Sequence, residues 1–496
     1  VTAGPGFSNV LPAVISAYYA RSPIIVLAGH SALQNINKHA AQEVDHLPLA
    51  KLVSKYAQMI YSTSRIPEYI QEAFRAATAE NMGPAFLDLP LDIQTLQWEV
   101  DRKDPFFNRK PESYRVQSYT YPDPSLVKKI TELLISASNP IIIAGSGVYW
   151  GKASENLLKV AEYLSIPVTS DELGKGCIPD LHPLAIGNAI QNLTLGKADL
   201  ILALGVTFGE YLGFGTNPTF YQEDCKLVIV DPDAMNVGKN RPFEIGVASS
   251  LNPFLNQLLT TLKKEVQVKL HEEWAKVAKQ DSTELELLFS GPVDSNDIPI
   301  KPQRLTKDIQ PFLDKNTRLF LDGGDTTVWA QLILKASYPG QIIMSHGPTG
   351  HLGAGIPMAI AAKLAKPEKT IMVLTGDGSF LFNGAEIDTA VRYDLPIVII
   401  VENDSAWGMI AHNQDLSWGE RIGTTLDDKN HINYVKFAES LGGQGELVTR
   451  PEDISGAIKR ACKSDTIALV DVRVDGNEIN VLNKSAAAKA DPSYWE

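Results

Sequence analysis

Thr370-Ile-Met-Val-Leu-Thr375 runs straight into Gly376-Asp377-Gly378-Ser379. The first six residues have the length and apolarity of a buried strand, and the glycines after them mark a tight turn into a helix. The helical pattern ends near Tyr393. A second apolar run, Leu395–Val401, then closes on Glu402-Asn403-Asp404. Two strand ends therefore bring Asp377 and Asp404 to the carboxyl edge of one parallel sheet, where ligands of such sheets bind. Glycine on either side of Asp377 lets backbone come close to a bulky anion. Two oxygen donors and a nearby carbonyl suit octahedral Mg²⁺ whose other ligands come from a phosphate group. Taken alone, Gly-Asp-Gly reads more simply as a turn after a strand. The matching second strand end changes that reading.

Outward from this stretch, short Val/Ile/Leu runs alternate with amphipathic helical patterns, the mark of βα units. The expected fold class is α/β, with three consecutive domains, each a parallel sheet flanked by helices. The first, residues 1–100, has strands at Pro23–Leu27 and Ala85–Leu89 and helices at Ser8–Tyr19 and Pro67–Glu80. A polar, proline-marked linker follows, Asp101–Pro124. The second, 125–264, has strands at Pro140–Ala144, Leu200–Leu204 and Leu227–Val230, with a Gly145-Ser-Gly147 turn after the first. Lys263 through Pro302 reads as a helix and connector. The third, 303–474, has strands at Arg318–Leu321, Thr370–Thr375, Pro396–Val401 and Ala468–Val474. Residues 475–496 form a polar, Ala/Lys-rich tail.

Composition narrows the function. The 496 residues call for about three domains. A net charge of −13 argues against nucleic acid, whose phosphates need clustered Lys and Arg. No apolar run nears the roughly 18 residues that cross a bilayer. Cys177, Cys225 and Cys462 lack metal or redox spacing, which points to a reducing cytoplasm. The sequence opens at Val1, without Met, on a segment that reads as the middle of a domain, so the natural N-terminus is expected upstream.

Together these residues resemble the thiamine-diphosphate-dependent enzymes of the acetolactate synthase type, the superfamily that includes benzaldehyde lyase and 2-hydroxyacyl-CoA lyase. The likeness rests on Gly-Asp-Gly followed by an Asn-Asn pair at the next strand end, here Asn403-Asp404, with Glu386 and Pro396 between. It implies a metal held by Asp377, Asp404 and the carbonyl of Ala406, with Asn403 as the alternative ligand. Gly376, Gly378 and Ser379 would line the diphosphate. Asp404 departs from the usual Asn and adds a negative charge there. Thr2-Ala-Gly-Pro-Gly-Phe-Ser-Asn9 looks like the family's Gly-Pro-Gly turn, so Gly4, Pro5 and Asn9 are expected beside the aminopyrimidine. Leu352, in Gly350-His-Leu-Gly-Ala-Gly-Ile-Pro357, falls where the family wedges an apolar residue between the cofactor rings; ordinary core packing would serve it equally. The three domains then become pyrimidine-binding, middle and diphosphate-binding. The family's cofactor-activating glutamate lies upstream of the Gly-Pro-Gly turn, and no residue of this sequence matches it.

On the substrate side Gln42 resembles an active-site glutamine of acetolactate synthases and benzaldehyde lyase. His346 and Trp407 match His and Trp positions of benzaldehyde lyase. Asn413 stands where acetolactate synthases carry a gating Trp, while His351 and His412 read as structural or rim residues. A histidine near a nascent alkoxide is a sensible acid or base, although a lone histidine is as often structural. The resemblance implies a carbon–carbon lyase or ligase acting on 2-oxo acids or 2-hydroxy ketones through a carbanion–enamine, acetolactate synthase-like or benzaldehyde lyase-like. A non-catalytic cofactor-binding relative is the alternative of another class. Thiamine diphosphate and Mg²⁺ are the implied cofactors; FAD occupies the middle domain in only some members. A homodimer or homotetramer with its site at the subunit interface is expected. A nicotinamide dehydrogenase is disfavoured, because Gly145-Ser-Gly147 lacks a third glycine and a following acidic strand end.

Overall fold

Strands of a parallel sheet with helices on both faces bury all their side chains, so they read as continuous apolar runs rather than alternating ones. The computed structural model describes residues 1–99, 103, 106–116, 119–188, 196–216, 221–345, 347–426, 432–481 and 483–484. Among these residues it contains three wholly parallel sheets, of three, six and six strands. The chain divides into two compact units: 1–120 with 347–351, and 121–346 with 352–496.

The first unit carries β1 (Ile25–His30), β2 (Tyr56–Met59) and β3 (Ala85–Pro90) in the order β1-β3-β2. Neighbouring residues of a strand face opposite sides. In β3, Phe86 packs with Phe7, Val14 and Ala50, while Ala85 and Leu87 pack with Ile60, Ala73 and Ala77.

The second unit carries two six-stranded sheets. One has β4 (Pro140–Ala144), β5 (Val168–Ser170), β6 (Ala185–Asn188), β7 (Leu200–Leu204), β8 (Lys226–Asp231) and β9 (Ile245–Ala248), ordered β6-β5-β4-β7-β8-β9. Its central strands β4 and β7 are buried throughout. Gly147 and Gly205, at the ends of β4 and β7, press together so closely that a Cβ on Gly205 would stand 2.5 Å from the Gly147 Cα. The other sheet has β10 (Thr317–Asp322), β11 (Ile342–Met344), β12 (Thr370–Gly376), β13 (Val398–Asn403), β14 (Gln444–Val448) and β15 (Ala468–Arg473), ordered β11-β10-β12-β13-β15-β14. From β10 the chain steps outward to β11, then returns to β12 on the other side. The switch point, where an open sheet leaves its ligand crevice, therefore lies between the ends of β10 and β12.

The expected strands are present, two of them at the expected bounds and the rest with ends shifted by at most three residues. Six further strands, β2, β5, β6, β9, β11 and β14, carry no long apolar run; all but β5 lie at sheet edges. The helix expected between Lys263 and Pro302 is Glu272–Ser290. Within the polar tail, Asn480 and Asn483 are fully buried. No helix among the described residues is long and apolar enough to cross a membrane.

Candidate active site

The site of the second unit begins at β12 and β13, paired in register so that Gly376 lies opposite Glu402. Asp377 follows β12 directly and is buried. The Gly378 N–H donates to its Oδ1 at 2.8 Å, and its Oδ2 has no partner. Asp404 follows β13, in a turn pinned from outside: Ser405 has φ 59°, the Trp407 N–H donates to the Thr424 carbonyl at 2.8 Å, and the Leu426 N–H to that of Ser405 at 2.8 Å. The Ala406 N–H donates to Asp404 Oδ1 at 3.1 Å. A Cβ on Gly408 would lie 2.3 Å from Asp404 Oδ2 and 3.0 Å from Asp325 Oδ2, so only glycine lets both carboxylates close here.

Asp325 comes from the end of β10, across the switch point. Sequence reasoning passed over it, although Asp322-Gly-Gly-Asp325 after an apolar strand carries the same signal as Gly376-Asp377. Its Oδ1 accepts from Asn480 and Asn483 at 2.6 Å each, which is why the tail is buried. Its Oδ2 meets His412 Nδ1 at 2.8 Å. The other ring nitrogen of His412 meets the Gly476 carbonyl at 3.0 Å. The Asp325 carboxylate and the Gly476 carbonyl, one at each ring nitrogen, favour the protonated ring, while the Asn483 amide also lies 3.4 Å from Nδ1. Burial pulls the His412 pKa down, but the hydrogen bond and charge of Asp325 outweigh it and the net shift is upward.

Glu402 is the fourth carboxyl. Thr326 donates to its Oε1 at 3.1 Å, while Oε2 has no partner. Burial, and then the charge of Asp404, push Glu402 well above the usual carboxylate range. Burial raises Asp377 strongly too, with Asp404 adding to it. Asp404 is raised to about 6, chiefly by burial and then by Asp325, against the Ala406 N–H that lowers it. Like charges gathered in a buried site ionise more readily when a cation joins them. A buried Asp377 with an unpartnered oxygen beside a half-buried Asp404 is a fitting donor set for a hard divalent cation.

The structure places the other expected residues as follows. Gly376 and Ser379 flank the carboxylate turn. Trp407 lies over Gly378, whose Cβ would stand 2.7 Å from its ring, and packs edge-on to Phe382 at 5.7 Å. Leu352 is half-buried in a turn that Asp322 fastens by accepting from the Gly353 and Gly355 N–H groups at 3.1 and 2.7 Å. The Asn403 side chain points elsewhere: its amide donates to Asp471 at 2.8 Å and its oxygen accepts from Arg473 at 3.0 Å. Asp404 is thus the strand-end oxygen left to face Asp377. Asn413 sits on the helix Gly408–Trp418 with its Oδ1 buried and unpartnered. His346 lies outside the described residues. A groove of about 1360 Å³ beside Lys159, Lys263 and Glu272 shares no residue with this site.

In the first unit Gly4, Pro5 and Asn9 begin the helix Pro5–Tyr19, with Gly4 at φ 60°. Gln42, also at positive φ, borders a cavity of about 500 Å³ lined by Thr2, His30 and Gln94 among others. The Glu43 carboxylate accepts from the Asn37 and Ala40 N–H groups and so closes its own loop.

Comparison with known sequences agrees with this layout. Residues 322–472 match the family described as thiamine pyrophosphate enzyme, C-terminal TPP binding domain; 127–258 match its central domain and 1–49 its N-terminal TPP binding domain. The chain is 32% identical to the probable acetolactate synthase large subunit of Methanocaldococcus jannaschii, over 96% of this chain and 81% of the relative. It is 30% identical to the acetolactate synthase large subunit IlvG of Mycobacterium tuberculosis (96% and 84%) and 28% to the isozyme 3 large subunit of Escherichia coli (96% and 83%). Strand ends, carboxylate pair and full-length likeness converge: the chain belongs to the thiamine pyrophosphate enzymes, in the family of the acetolactate synthase large subunits.

Proposed function

We propose that this enzyme joins or cleaves carbon–carbon bonds next to a carbonyl, as an acetolactate synthase does, with thiamine diphosphate anchored through Mg²⁺. The observation that carries the anchor is the Asp377–Asp404 pair, Asp377 buried with an unpartnered oxygen and Asp404 half-buried beside it. Asp377, Asp404 and the Ala406 carbonyl would hold the cation, which neutralises them and the diphosphate together. Bound thiamine diphosphate supplies a carbon acid able to add to a 2-oxo acid. Gly376, Gly378 and Ser379 would give the diphosphate room, Leu352 would support the cofactor's rings, and Gly4, Pro5, Asn9 and Gln42 would line its pyrimidine side. Trp407, over Gly378, keeps that edge dry. Three free cysteines fit a reducing compartment. FAD in the middle sheet is decided by the visible absorbance of the purified protein.

A second reading, cleavage of 2-hydroxy ketones, is favoured by Asn413, whose unpartnered buried oxygen could accept a hydrogen bond from a substrate hydroxyl where a gating aromatic would leave no room. His346 would shuttle the hydroxyl proton. Acetolactate formation from pyruvate and acyloin cleavage, assayed side by side on the intact protein, separate the two. Acetolactate formation alone supports the first reading; acyloin cleavage at least as fast supports the second. Loss of neither on removing thiamine diphosphate rejects both. His346→Ala should lower acyloin turnover roughly 10²–10⁴-fold if it is the proton carrier.

A further inference from the structure

Beneath the Gly4 turn lies a pair of side chains with no part in the scheme above. His46 opens the helix His46–Leu52, Asp88 sits within β3, and both are fully buried. The Gly4 N–H donates to His46 Nε2 at 3.2 Å. That nitrogen therefore carries a lone pair, the ring proton lies on Nδ1, and it is donated to Asp88 Oδ1 at 3.1 Å. Phe7 tilts over the ring at 4.5 Å and His30 stands edge-on at 5.3 Å, leaving it one orientation.

What this chain holds is a contact between two strained loops. Gly4 has φ 60° and Gln42 φ 59°. A Cβ on Gly4 would stand 2.6 Å from the Gln42 carbonyl oxygen, so the two backbones touch. Strained backbone persists only where its surroundings over-determine it. Here a strand and a helix, both rigid, reach the turn through one imidazole. Asp88 Oδ2 stays buried without a partner, a cost that hydrophobic packing in the same space would avoid.

We propose that His46, oriented by Asp88, is a positioning residue that holds the Gly4 turn against Gln42 and so sets the wall facing the cofactor's pyrimidine. This rests on the proposed function for the role of that wall, but not for the strut itself. His30, His46 and Asp88 have ligand atoms within 4.8 Å of one another, close enough for a metal. Yet both nitrogens of His46 are already committed to Gly4 and Asp88, so the strut explains the cluster without an ion.

The test compares His46→Gln, whose amide can both accept from Gly4 and donate to Asp88, with His46→Leu, which can do neither. Amide hydrogen exchange at residues 1–9, measured without cofactor, should rise in the leucine variant and stay at the wild-type level in the glutamine variant. In the intact enzyme, His46→Leu should lower kcat about 10- to 100-fold, the penalty of a misplaced site. Its thiamine diphosphate affinity should stay near wild type, because the diphosphate anchor is untouched, and His46→Gln should recover kcat. If the leucine variant does not fold, His46→Leu/Asp88→Leu leaves no buried carboxylate unpaired and carries the same comparison. Unchanged exchange and kcat in the leucine variant would overturn the proposal. So would a glutamine variant as damaged as the leucine one, or stoichiometric Co²⁺ binding that His46→Leu abolishes. Failure of wild type to bind thiamine diphosphate would remove the proposed function instead, leaving the exchange result to judge the strut.

Discussion

Asp404 gives the site a pH signature. Its pKa is held at about 6 in the fold, against about 3.9 for a free aspartate. Between those values the native state keeps a proton that the unfolded chain has released. Stability from this group is therefore present at low pH and lost as pH rises through that window. Without divalent cations, thermal stability should fall between roughly pH 4 and pH 7 more steeply in wild type than in Asp404→Asn. Excess Mg²⁺ should remove the difference. Calorimetric scans across that range with chelator or Mg²⁺ check this, and parallel slopes in the two proteins would contradict it. Asp377 and Asp404 were legible in the sequence because each directly follows an apolar strand. Asp325 follows its strand in the same way and was open to the same reading, although its partners, in the tail 155 and 158 residues away, were not. Glu402 lies inside its apolar strand and gave no such signal. His412 read as structural, and its contact is structural, but with a carboxylate that faces Asp404.

The turn between β13 and the helix Gly408–Trp418 shows how tightly an element can be constrained by one missing atom. Adding a methyl at Gly408 would drive a carbon to within 2.3 Å of Asp404 Oδ2. Gly408→Ala should therefore weaken Mg²⁺-dependent thiamine diphosphate binding at least about tenfold, while costing the fold about 1–3 kcal/mol. Calorimetric titration and urea unfolding separate the two effects; affinity equal to wild type would show that Asp404 is free to move. Strands were legible where they form apolar runs. β4, β7, β12 and β13, in the middle of their sheets, are long apolar runs. Edge strands such as Gln444–Val448, only partly buried, need no such run and left none to read. Asn480 and Asn483 went unread for a related reason: polar residues announce a solvated tail unless a buried carboxylate awaits them.

At the scale of the whole molecule, two compact units carry residues assigned to opposite ends of one cofactor. The pyrimidine-side turn, Gly4 to Asn9, belongs to the first, and the carboxylate pair to the second. We expect the protein to be at least a dimer, with each cofactor completed across two subunits. Sedimentation at micromolar concentration should give a dimer or tetramer, and a monomer that still binds the cofactor would refute the shared site. The fold class was open to the sequence through its alternating apolar runs and helical patterns, and the cofactor family through the resemblance that Gly376-Asp377-Gly378 and Asn403-Asp404 carry. Substrate choice was less so: on the proposed reading it would rest on how Asn413, Trp407 and Gln42 are presented, which spacing alone does not fix. The central claim is that Asp377 and Asp404 bind thiamine diphosphate through a divalent cation. Isothermal titration of the intact protein with thiamine diphosphate, with and without Mg²⁺, on wild type and Asp377→Ala tests it directly. The account predicts saturable binding that needs Mg²⁺ in wild type and disappears in the variant. Equal affinity in the two proteins, or wild-type binding indifferent to Mg²⁺, would contradict it.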